Sequence, residues 1–382
     1  IDDVDRLLFS HPGITAQPKM APATEFEPAK LIGQQFTVNI AADVPPGTYE
    51  ARVAGRFGIS NPRSFVVGAL DEVVNTATND PKTAPVATIN QTVNGIVDGT
   101  NRDFLKLALK QGQRVLIDCQ AQRIDSRLDG TLALTAPNGN EIARSIDYRG
   151  EDPLLDVTAP EDGEYLLSLY DFVYRGGTEY FYRLTIHDKP HVDFIFPPSG
   201  LAGTTTAFTL YGRNLPGGEA SDVQIDGITL QKKVVQVTLP KDDATRQLEV
   251  AERIDPQIAA LDAFQYRTEF GQQLPIYFAE FPVVMEQPDN DSAATAQTVT
   301  APCEYVGQFY PQRDTDWVQF EGKKGDVFYL DLLSHRLGAN VDARLVVQRV
   351  TKNDKGEETV SDVANVDDPG DRNSRLGSDF DT

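Results

Sequence analysis

The chain is poor in the residues from which most catalytic and transition-metal sites are built. Among 382 residues there are only two cysteines, four histidines, one tryptophan and two methionines. Two lone cysteines exclude a zinc site made of cysteine ligands. The chain contains neither a Gly-x-Ser-x-Gly elbow nor a His-Glu-x-x-His motif, and nothing selects a Ser/His/Asp triad. We therefore expect no catalytic residue and no enzyme activity within this chain.

Long apolar runs are also missing. No segment approaches the roughly 18 consecutive apolar residues of a membrane-spanning helix, so no span is expected. Cys119 and Cys303 fall in different modules by the repeat described below, and we expect two buried thiols rather than a disulfide. The cysteine count therefore leaves the redox compartment open.

Positive charge is scarce as well. There are 35 Lys and Arg residues against 57 Asp and Glu residues, which gives a net charge of −22. Binding to nucleic acid or to an anionic membrane needs clusters of basic residues, so neither partner is expected. The balance fits a soluble surface protein, a salt-rich medium or the binding of cations.

The chain does contain a long internal sequence repeat. The turn at Gly112 opens the strand-like run Val115–Asp118, and 213 residues later Gly325 opens Val327–Asp331. Trp317 falls on Phe104 at the same offset, so this position is aromatic in both copies. Solenoid repeats run at about 20 to 50 residues, so a repeat this long indicates tandem globular modules.

Strand-type patterns dominate both copies. In Tyr180–Ile186 the residues alternate, which places Tyr180, Tyr182, Leu184 and Ile186 on one face. Turn signals such as Pro137-Asn138-Gly139 and Arg175-Gly176-Gly177 separate such runs. The one helix candidate is a weak pattern over 255–264. The sequence therefore predicts an all-β fold made of tandem β-sandwiches.

We divide the chain into four units of two alternating kinds. They are a partial immunoglobulin-like sandwich at 1–70, a complete unit of a second kind at 71–188, a sandwich of the first kind at 189–282 and a partial unit of the second kind at 283–382. Matching the copies suggests that the last unit lacks roughly thirty residues, or two strands. We expect either that the polypeptide continues beyond both ends or that a partner supplies these strands.

The units at 71–188 and 283–382 resemble bacterial pre-peptidase C-terminal domains, which have a jelly-roll-like fold. The residues that carry the resemblance are the lead-in Glu286–Ser292, then Gly307, Asp314–Trp317 and the turn Lys323–Asp326. The matching pieces in the earlier unit are Asn79-Asp80-Pro81, Gly95, Asp103-Phe104, Gln111-Gly112-Gln113 and Gly163-Glu164-Tyr165. The resemblance implies export and a non-catalytic role, and related collagen-binding domains hold calcium in the lead-in.

The units at 1–70 and 189–282 resemble TIG-type immunoglobulin-like domains. Pro197-Pro198-Ser199-Gly200, Gly203, Leu210–Leu215 and Val223–Gly227 carry this second resemblance. The alternation of both kinds is similar to large exported proteins of planctomycete-type bacteria. The resemblance implies a protein that is extracellular, at the cell surface or periplasmic.

A calcium site in the last unit is the best candidate for chemistry. Calcium takes six to eight oxygen ligands, and carboxylates with an amide oxygen suit it. The candidate ligands are Glu286, Asn290, Asp291, Asp314 and Asp316. Of the lead-in residues, Glu286, Asn290 and Asp291 match the family pattern, whereas Pro288 stands where a second acid is expected. The alternative is that these residues only form turns and a strand cap.

The other candidate functional residues each have a structural explanation as well as a functional one. Asn75 and Ala77 stand where the family has acids, so a calcium site in the earlier unit should be weaker. The four histidines are scattered, with two of them at the joint near residue 190. An aromatic group could line a groove for peptide or glycan, or could be core; its members are Tyr170, Phe172, Tyr174, Tyr180, Phe181 and Tyr182.

The sequence therefore favours a structural or adhesive protein that is exported and non-catalytic. Its expected partners are protein or glycan at the cell surface, or other domains of the same polypeptide. The alternative is the accessory region of a secreted hydrolase, above all a peptidase, whose catalytic domain lies outside residues 1–382.

Overall fold

The computed structural model describes residues 4–75, 79–99, 102–241, 262–334, 337, 341, 343–366 and 380–381. The all-β prediction is confirmed: in these ranges the helical residues are the 3-10 turn Gln122–Ile124 and Leu337. The weak helix expected over 255–264 lies mostly outside the described residues, and its end belongs to a strand, Ala263–Arg267. Within the described part of the chain, no helix has the length and hydropathy needed to cross a bilayer.

The first stretch forms a four-stranded sheet and a hairpin. In the sheet β4 pairs with β1, β5 and β6, and the hairpin joins β2 to β3. Their side chains meet around Ile14, Val44 and the fully buried Tyr49, whose hydroxyl donates to the carbonyl of Pro45 at 2.6 Å. The strands are β1 (Val4–Phe9), β2 (Ile14–Ala21), β3 (Lys30–Ile40), β4 (Gly47–Gly55), β5 (Gly58–Ile59) and β6 (Arg63–Val67).

The second stretch forms two five-stranded sheets that share one buried core. The strands are β7 (Asp71–Val74), β8 (Val86–Ala87), β9 (Gln91–Ile96), β10 (Asp103–Leu109), β11 (Arg114–Gln120), β12 (Gly130–Thr135), β13 (Glu141–Ser145), β14 (Leu154–Thr158), β15 (Gly163–Asp171) and β16 (Phe181–His187). The sheet orders are β13-β12-β15-β10-β8 and β14-β11-β16-β9-β7. In the inner strands alternate residues point between the sheets, as the period of two requires, and Tyr182, Leu184 and Ile186 lie in this core as predicted.

The third stretch has the same plan with fewer strands. They are β17 (His191–Phe196), β18 (Ser199–Leu201), β19 (Thr205–Arg213), β20 (Glu219–Ile225), β21 (Ile228–Thr238), β22 (Ala263–Arg267) and β23 (Gln273–Ala279). One sheet has the order β17-β19-β21-β20 and the other β18-β23-β22. Phe208 and Leu210 from the first sheet pack with Leu274 and Ile276 from the second.

The fourth stretch differs from the second in the described residues, and the partial sandwich expected over 283–382 stays a prediction. Its strands pair only two at a time. They are β24 (Val283–Met285), β25 (Gln297–Thr298), β26 (Glu304–Val306), β27 (Val318–Gln319), β28 (Asp331–Leu332), β29 (Leu345–Lys352), β30 (Glu358–Val366) and β31 (Phe380–Asp381). β29 pairs with β30 alone, whereas the corresponding β12 is covered on both edges by β13 and β15. Val346 and Val350 are therefore exposed, at 45% and 54%.

Every hydrogen-bonded sheet takes its strands from one of the four stretches. The unit boundaries themselves, and the division into alternating sandwiches, stay predictions. Both cysteines are free, as expected. Cys119 is fully buried in the core of the second stretch, where burial raises the pKa of its thiol well above the ordinary value, but Cys303 is only partly buried.

Candidate metal site

Three carboxylates of the fourth stretch converge on one point. Glu286, Asp314 and Asp316 each offer an oxygen, and these oxygens all lie within 4.8 Å of one another. Glu286 directly follows β24, whose parallel pairing with β26 sets Met285 opposite Val306. Asp314 and Asp316 lie in the loop between β26 and β27. The backbone therefore brings the lead-in and this loop together from two sides.

The Glu286 carboxylate lies against Gly307, which has no side chain. The carboxylate accepts a hydrogen bond from the Gln308 N–H at 2.8 Å. A Cβ at Gly307 would lie only 2.8 Å from Glu286 Oε2, a distance that real Cβ atoms essentially never show. Gly307 is thus the residue that leaves room for the carboxylate.

The electrostatics of the group oppose full ionisation. Burial, the hydrogen bond with Asp316 and the negative charges of Asp316 and Asp314 raise the pKa of Glu286 to about 7, although the Gln308 N–H works in the other direction. Like charges that share a site disfavour the second ionisation. A bound cation would reverse this preference, because it attracts all three carboxylates at once.

An amide stands beside the carboxylates. Asn290 is 2% exposed, and its Nδ2 donates to Asp316 Oδ1 at 3.0 Å and to the Tyr305 hydroxyl at 2.8 Å. Its Oδ1 is buried and has no hydrogen-bond partner among the described residues. A buried polar atom left unsatisfied costs about 1–3 kcal/mol, so a cation or a water at this position would stabilise the fold.

The structure brings together four of the five candidate ligands and leaves one out. Asp291 is exposed and does not belong to the converging group. The preceding turn explains this difference, since Asp289 has a left-handed backbone with φ of 74° and Asn290, not Asp291, is the residue that turns inward. Asp314 also serves the turn that the alternative reading expected, because it accepts from the backbone N–H groups of Tyr310 and Thr315.

The donor set therefore fits a hard cation. Three carboxylates and water would supply oxygen ligands of the kind that calcium takes in flexible geometry, and Asn290 would add its amide oxygen only after its side-chain amide turned over, because its Nδ2 faces Asp316. Sequence reasoning missed Tyr305, whose hydroxyl accepts a hydrogen bond from Asn290. Burial and the nearby carboxylates raise the pKa of Tyr305. A tyrosine in a short strand gives no sequence signal that it contacts the candidate ligands.

The corresponding place in the second stretch is closed by a tyrosine. Asp103, 2% exposed, stands for Asp316 and accepts a hydrogen bond from the Tyr182 hydroxyl at 2.8 Å. Asn75 stands for Glu286, and its Nδ2 donates to the same hydroxyl at 2.8 Å. The Tyr182 ring lies against Gly95, which is where Glu286 lies against Gly307 in the later copy. The hydroxyl thus occupies the space that a carboxylate takes in the fourth stretch.

The aromatic group is split between core and surface. Tyr170 and Tyr182 are buried, at 5% and 2% exposure, whereas Phe172 and Tyr174 are exposed. Tyr174 stacks on Tyr170 with centroids 5.3 Å apart, and Arg102 lies over Tyr170 at 4.3 Å. The core reading therefore holds for two tyrosines, and the exposed Phe172 and Tyr174 lie in the loop that leads from β15 in one sheet to β16 in the other.

Several predicted features lie elsewhere. A cleft of about 570 Å³ separates the first and second stretches, but the charged groups in its lining, Glu72 and Arg183, pair with each other at 2.6 Å. His335, one of the four scattered histidines, lies outside the described residues. Trp317 is half-buried.

No family model matches the chain, and no curated protein matches it. Among solved structures, the chain is similar to the pre-peptidase C-terminal domain of a collagenase from Bacillus anthracis, with 20% identity, 28% of this chain and 99% of that chain covered, and a TM-score of 0.24. A second is PliG of Aeromonas hydrophila, a periplasmic inhibitor of g-type lysozyme, with 18% identity, 31% and 93% coverage, and a TM-score of 0.20.

A third is the Bacteroides ovatus protein SGBP-B of a mixed-linkage glucan utilization locus, solved with a mixed-linkage heptasaccharide. It shows 11% identity, 63% of this chain and 60% of that chain covered, and a TM-score of 0.15. These likenesses are distant and partial, so ligand and activity are argued below from the residues alone. The TIG-type resemblance stays a prediction.

Proposed function

We propose that the chain is a non-catalytic, exported scaffold built of tandem β-sandwich modules, in which calcium fastens the lead-in of the fourth stretch. The observation that carries the proposal is the convergence of Glu286, Asp314 and Asp316 within 4.8 Å. Without a cation the three carboxylates repel one another. With a cation they act together as a strong set of ligands. The poverty of the sequence in nucleophile and metal motifs supports the non-catalytic role.

Calcium suits the group better than magnesium does. Magnesium demands near-ideal octahedral geometry and keeps several waters, whereas calcium accepts six to eight oxygens in variable geometry. Glu286 and Asp316 come from separate segments, and Asn290 hydrogen-bonds to Asp316 from a third position. A site assembled from several loops in this way favours the more tolerant ion.

The ion would stiffen a joint as well as a loop. Asp314 Oδ2 accepts from the Tyr310 N–H at 3.0 Å, and the Tyr310 hydroxyl donates to the carbonyl of Asp222 in the third stretch at 2.6 Å. Glu304 of β26 also accepts from Ser199 of the third stretch at 3.3 Å. Ordering the 308–316 loop would therefore fix the fourth stretch against its neighbour.

Thermal unfolding with and without calcium tests this proposal. Calcium should raise the melting temperature of the wild type, since a ligand that binds only the native state at 100 times its Kd stabilises by about 2.7 kcal/mol. Asp316→Asn should lose the effect, and Asp291→Asn, outside the group, should keep it. An unchanged melting temperature in the wild type, or an equal rise in Asp316→Asn, would refute the calcium site.

The alternative, an accessory region of a secreted hydrolase, shares the non-catalytic role of these residues. The complete reading frame separates the two, because a hydrolase domain in the same polypeptide would decide for the accessory role.

A further inference from the structure

The connection between the second and third stretches is short and crosses a buried ionic cluster. Only residues 188–190 separate the end of β16 from the start of β17. Arg213 of β19 reaches back across this joint, and its Nη1 donates to Asp156 Oδ2 of β14 at 2.8 Å. Both side chains are 3% exposed. The two stretches are therefore joined by a desolvated ion pair and not only by the chain.

Arg213 is also paired within its own stretch. Its Nε donates to Asp193 Oδ2 at 3.3 Å, and its Nη2 donates to the Tyr148 hydroxyl at 2.8 Å. The Tyr148 hydroxyl, which belongs to the second stretch, hydrogen-bonds in turn to Asp193. Each of the three guanidinium nitrogens thus donates to a partner that lies at the joint.

A second arginine repeats the crossing from the other side. Arg114 of β11 holds both oxygens of Asp156, at 2.7 and 2.5 Å, and its Nη1 donates to Asn214 Oδ1 at 3.2 Å. Asn214 Nδ2 donates to the carbonyl of Asp188 in the connection at 3.2 Å. These bonds fix one orientation of the two stretches.

Two histidines face each other across the same joint. His187 ends β16, His191 begins β17, and their ring centroids are 6.2 Å apart. They are 7% and 6% exposed, and His187 Nδ1 has no hydrogen-bond partner among the described residues. The rings are therefore packed between the stretches with little access to water.

The charges around this pair balance only while both rings are neutral. The groups that face His187 are His191, Asp118 of β11, Asp188 and the backbone of Lys189. His191 faces Asp193, Asp118, Arg149 and Arg123. The joint as a whole, with the exposed Asp188 and Lys189 of the connection included, holds five cations and five anions, namely Arg114, Arg123, Arg149, Lys189 and Arg213 against Asp118, Asp152, Asp156, Asp188 and Asp193.

We propose that this joint is an acid-sensitive hinge, which is closed while His187 and His191 are neutral and opens when they take up protons. A protonated ring here would add a buried charge next to the other ring and to a cluster that is already neutralised. Opening the joint exposes the rings to water, which solvates the added charge. Proton uptake therefore favours the open form.

The pKa values of the two histidines and of Asp118 determine the pH at which the joint opens and which group is protonated first. Burial, with the opposing ring as the next cause for His187, lowers the pKa of both histidines in the closed form. The closed form is thus fully stable above the ordinary histidine pKa of about 6.5 and loses stability as pH falls below it. Burial works to raise the pKa of Asp118, but the charge of Arg123 lowers it, so this carboxylate stays charged while the histidines titrate.

Small-angle scattering of the whole chain between pH 8 and pH 5 tests the hinge. The radius of gyration should grow as pH falls, with the ratio of open to closed form rising by up to about tenfold per pH unit for each histidine. His187→Gln combined with His191→Gln should abolish the change in this range. His11→Gln, a histidine of the first stretch, should leave it intact.

Two results would overturn the proposal: a radius that stays constant in the wild type, or a pH response that persists in the double variant. Should the double variant fail to fold, Asp118→Asn decides. Removing this carboxylate takes away attraction for a protonated ring, so opening should move to higher pH. An opening that stays in place or moves to lower pH would equally contradict the hinge.

Discussion

A carboxylate oxygen of Glu286 and one of Asp316 lie within 4.8 Å of each other, so each carboxylate opposes the ionisation of the other. The proton that Glu286 retains up to its raised pKa of about 7 links the candidate metal site to pH. A divalent cation would have to displace it, since calcium binds the ionised carboxylates.

Calcium affinity should therefore fall steeply below neutral pH. The pKa of Glu286 is raised to about 7 by burial and by the neighbouring carboxylates, so the apparent Kd should rise by about tenfold per pH unit below that value. Calorimetry in two buffers of different ionisation enthalpy would detect the released proton. A Kd that is equal at pH 5.5 and pH 8 would contradict a protonated Glu286.

The metal-free protein should show the opposite sign of pH dependence. Because the folded pKa of Glu286 lies above its ordinary value of 4.5, the native state is favoured below that value and loses stability as pH rises towards about 7. Glu286→Gln cannot ionise and should remove this loss together with calcium binding. The comparison is the calcium-free melting temperature of both proteins at pH 5 and pH 8.

Gly307→Ala should weaken calcium binding without unfolding the chain. The new methyl group would meet Glu286 Oε2 at 2.8 Å and push the carboxylate away from Asp314 and Asp316. We expect a loss of at least about tenfold in affinity, or 1.4 kcal/mol. Gly33→Ala, where a Cβ meets nothing within 4 Å, is the matched control and should bind as the wild type does.

Tyr182→Phe should destabilise the second stretch. The hydroxyl donates to the buried Asp103 and accepts from Asn75, so its removal leaves a buried carboxylate short of a donor. The free energy of unfolding should fall by about 1–3 kcal/mol. The control is Tyr180→Phe in the same stretch, at a half-buried position. A Tyr182→Phe variant as stable as Tyr180→Phe would refute the role.

Arg213→Met should loosen the joint between the second and third stretches. It leaves Asp193 and Asp156 buried with fewer partners, and removing one partner of a buried ion pair costs about 3–5 kcal/mol. Arg349→Met, at an exposed position, should change stability by less than about 0.5 kcal/mol. Chemical denaturation of the two variants makes the comparison, and equal stabilities would speak against a structural cluster.

Part of this architecture was readable from residue order alone. The alternation of Tyr182, Leu184 and Ile186 predicts a strand with one buried face because side chains alternate along a strand. The resemblance of 283–382 to pre-peptidase C-terminal domains placed Glu286 and Asp316 in one candidate site. Both inferences depend on spacing along the chain, which the sequence records directly.

Other features depend on directions that spacing does not record. Asn290 and Asp291 are adjacent, and the left-handed turn at Asp289 decides which of them is buried. The clearance at Gly307 and the substitution by Tyr182 in the earlier copy arise from contacts between segments far apart in sequence. Val346 and Val350 of β29 are exposed because β29 pairs with β30 alone in the described residues. A pattern within one strand cannot reveal which strands lie beside it.

Terbium luminescence tests the central claim most directly. Terbium replaces calcium in oxygen sites, and Trp317, the only tryptophan of the chain, directly follows Asp316. Excitation of Trp317 should sensitise terbium emission that saturates at one ion per chain, is displaced by calcium and is lost in Asp316→Asn but not in Asp291→Asn. Emission that is absent, or that survives unchanged in Asp316→Asn, would contradict a cation held by Glu286, Asp314 and Asp316.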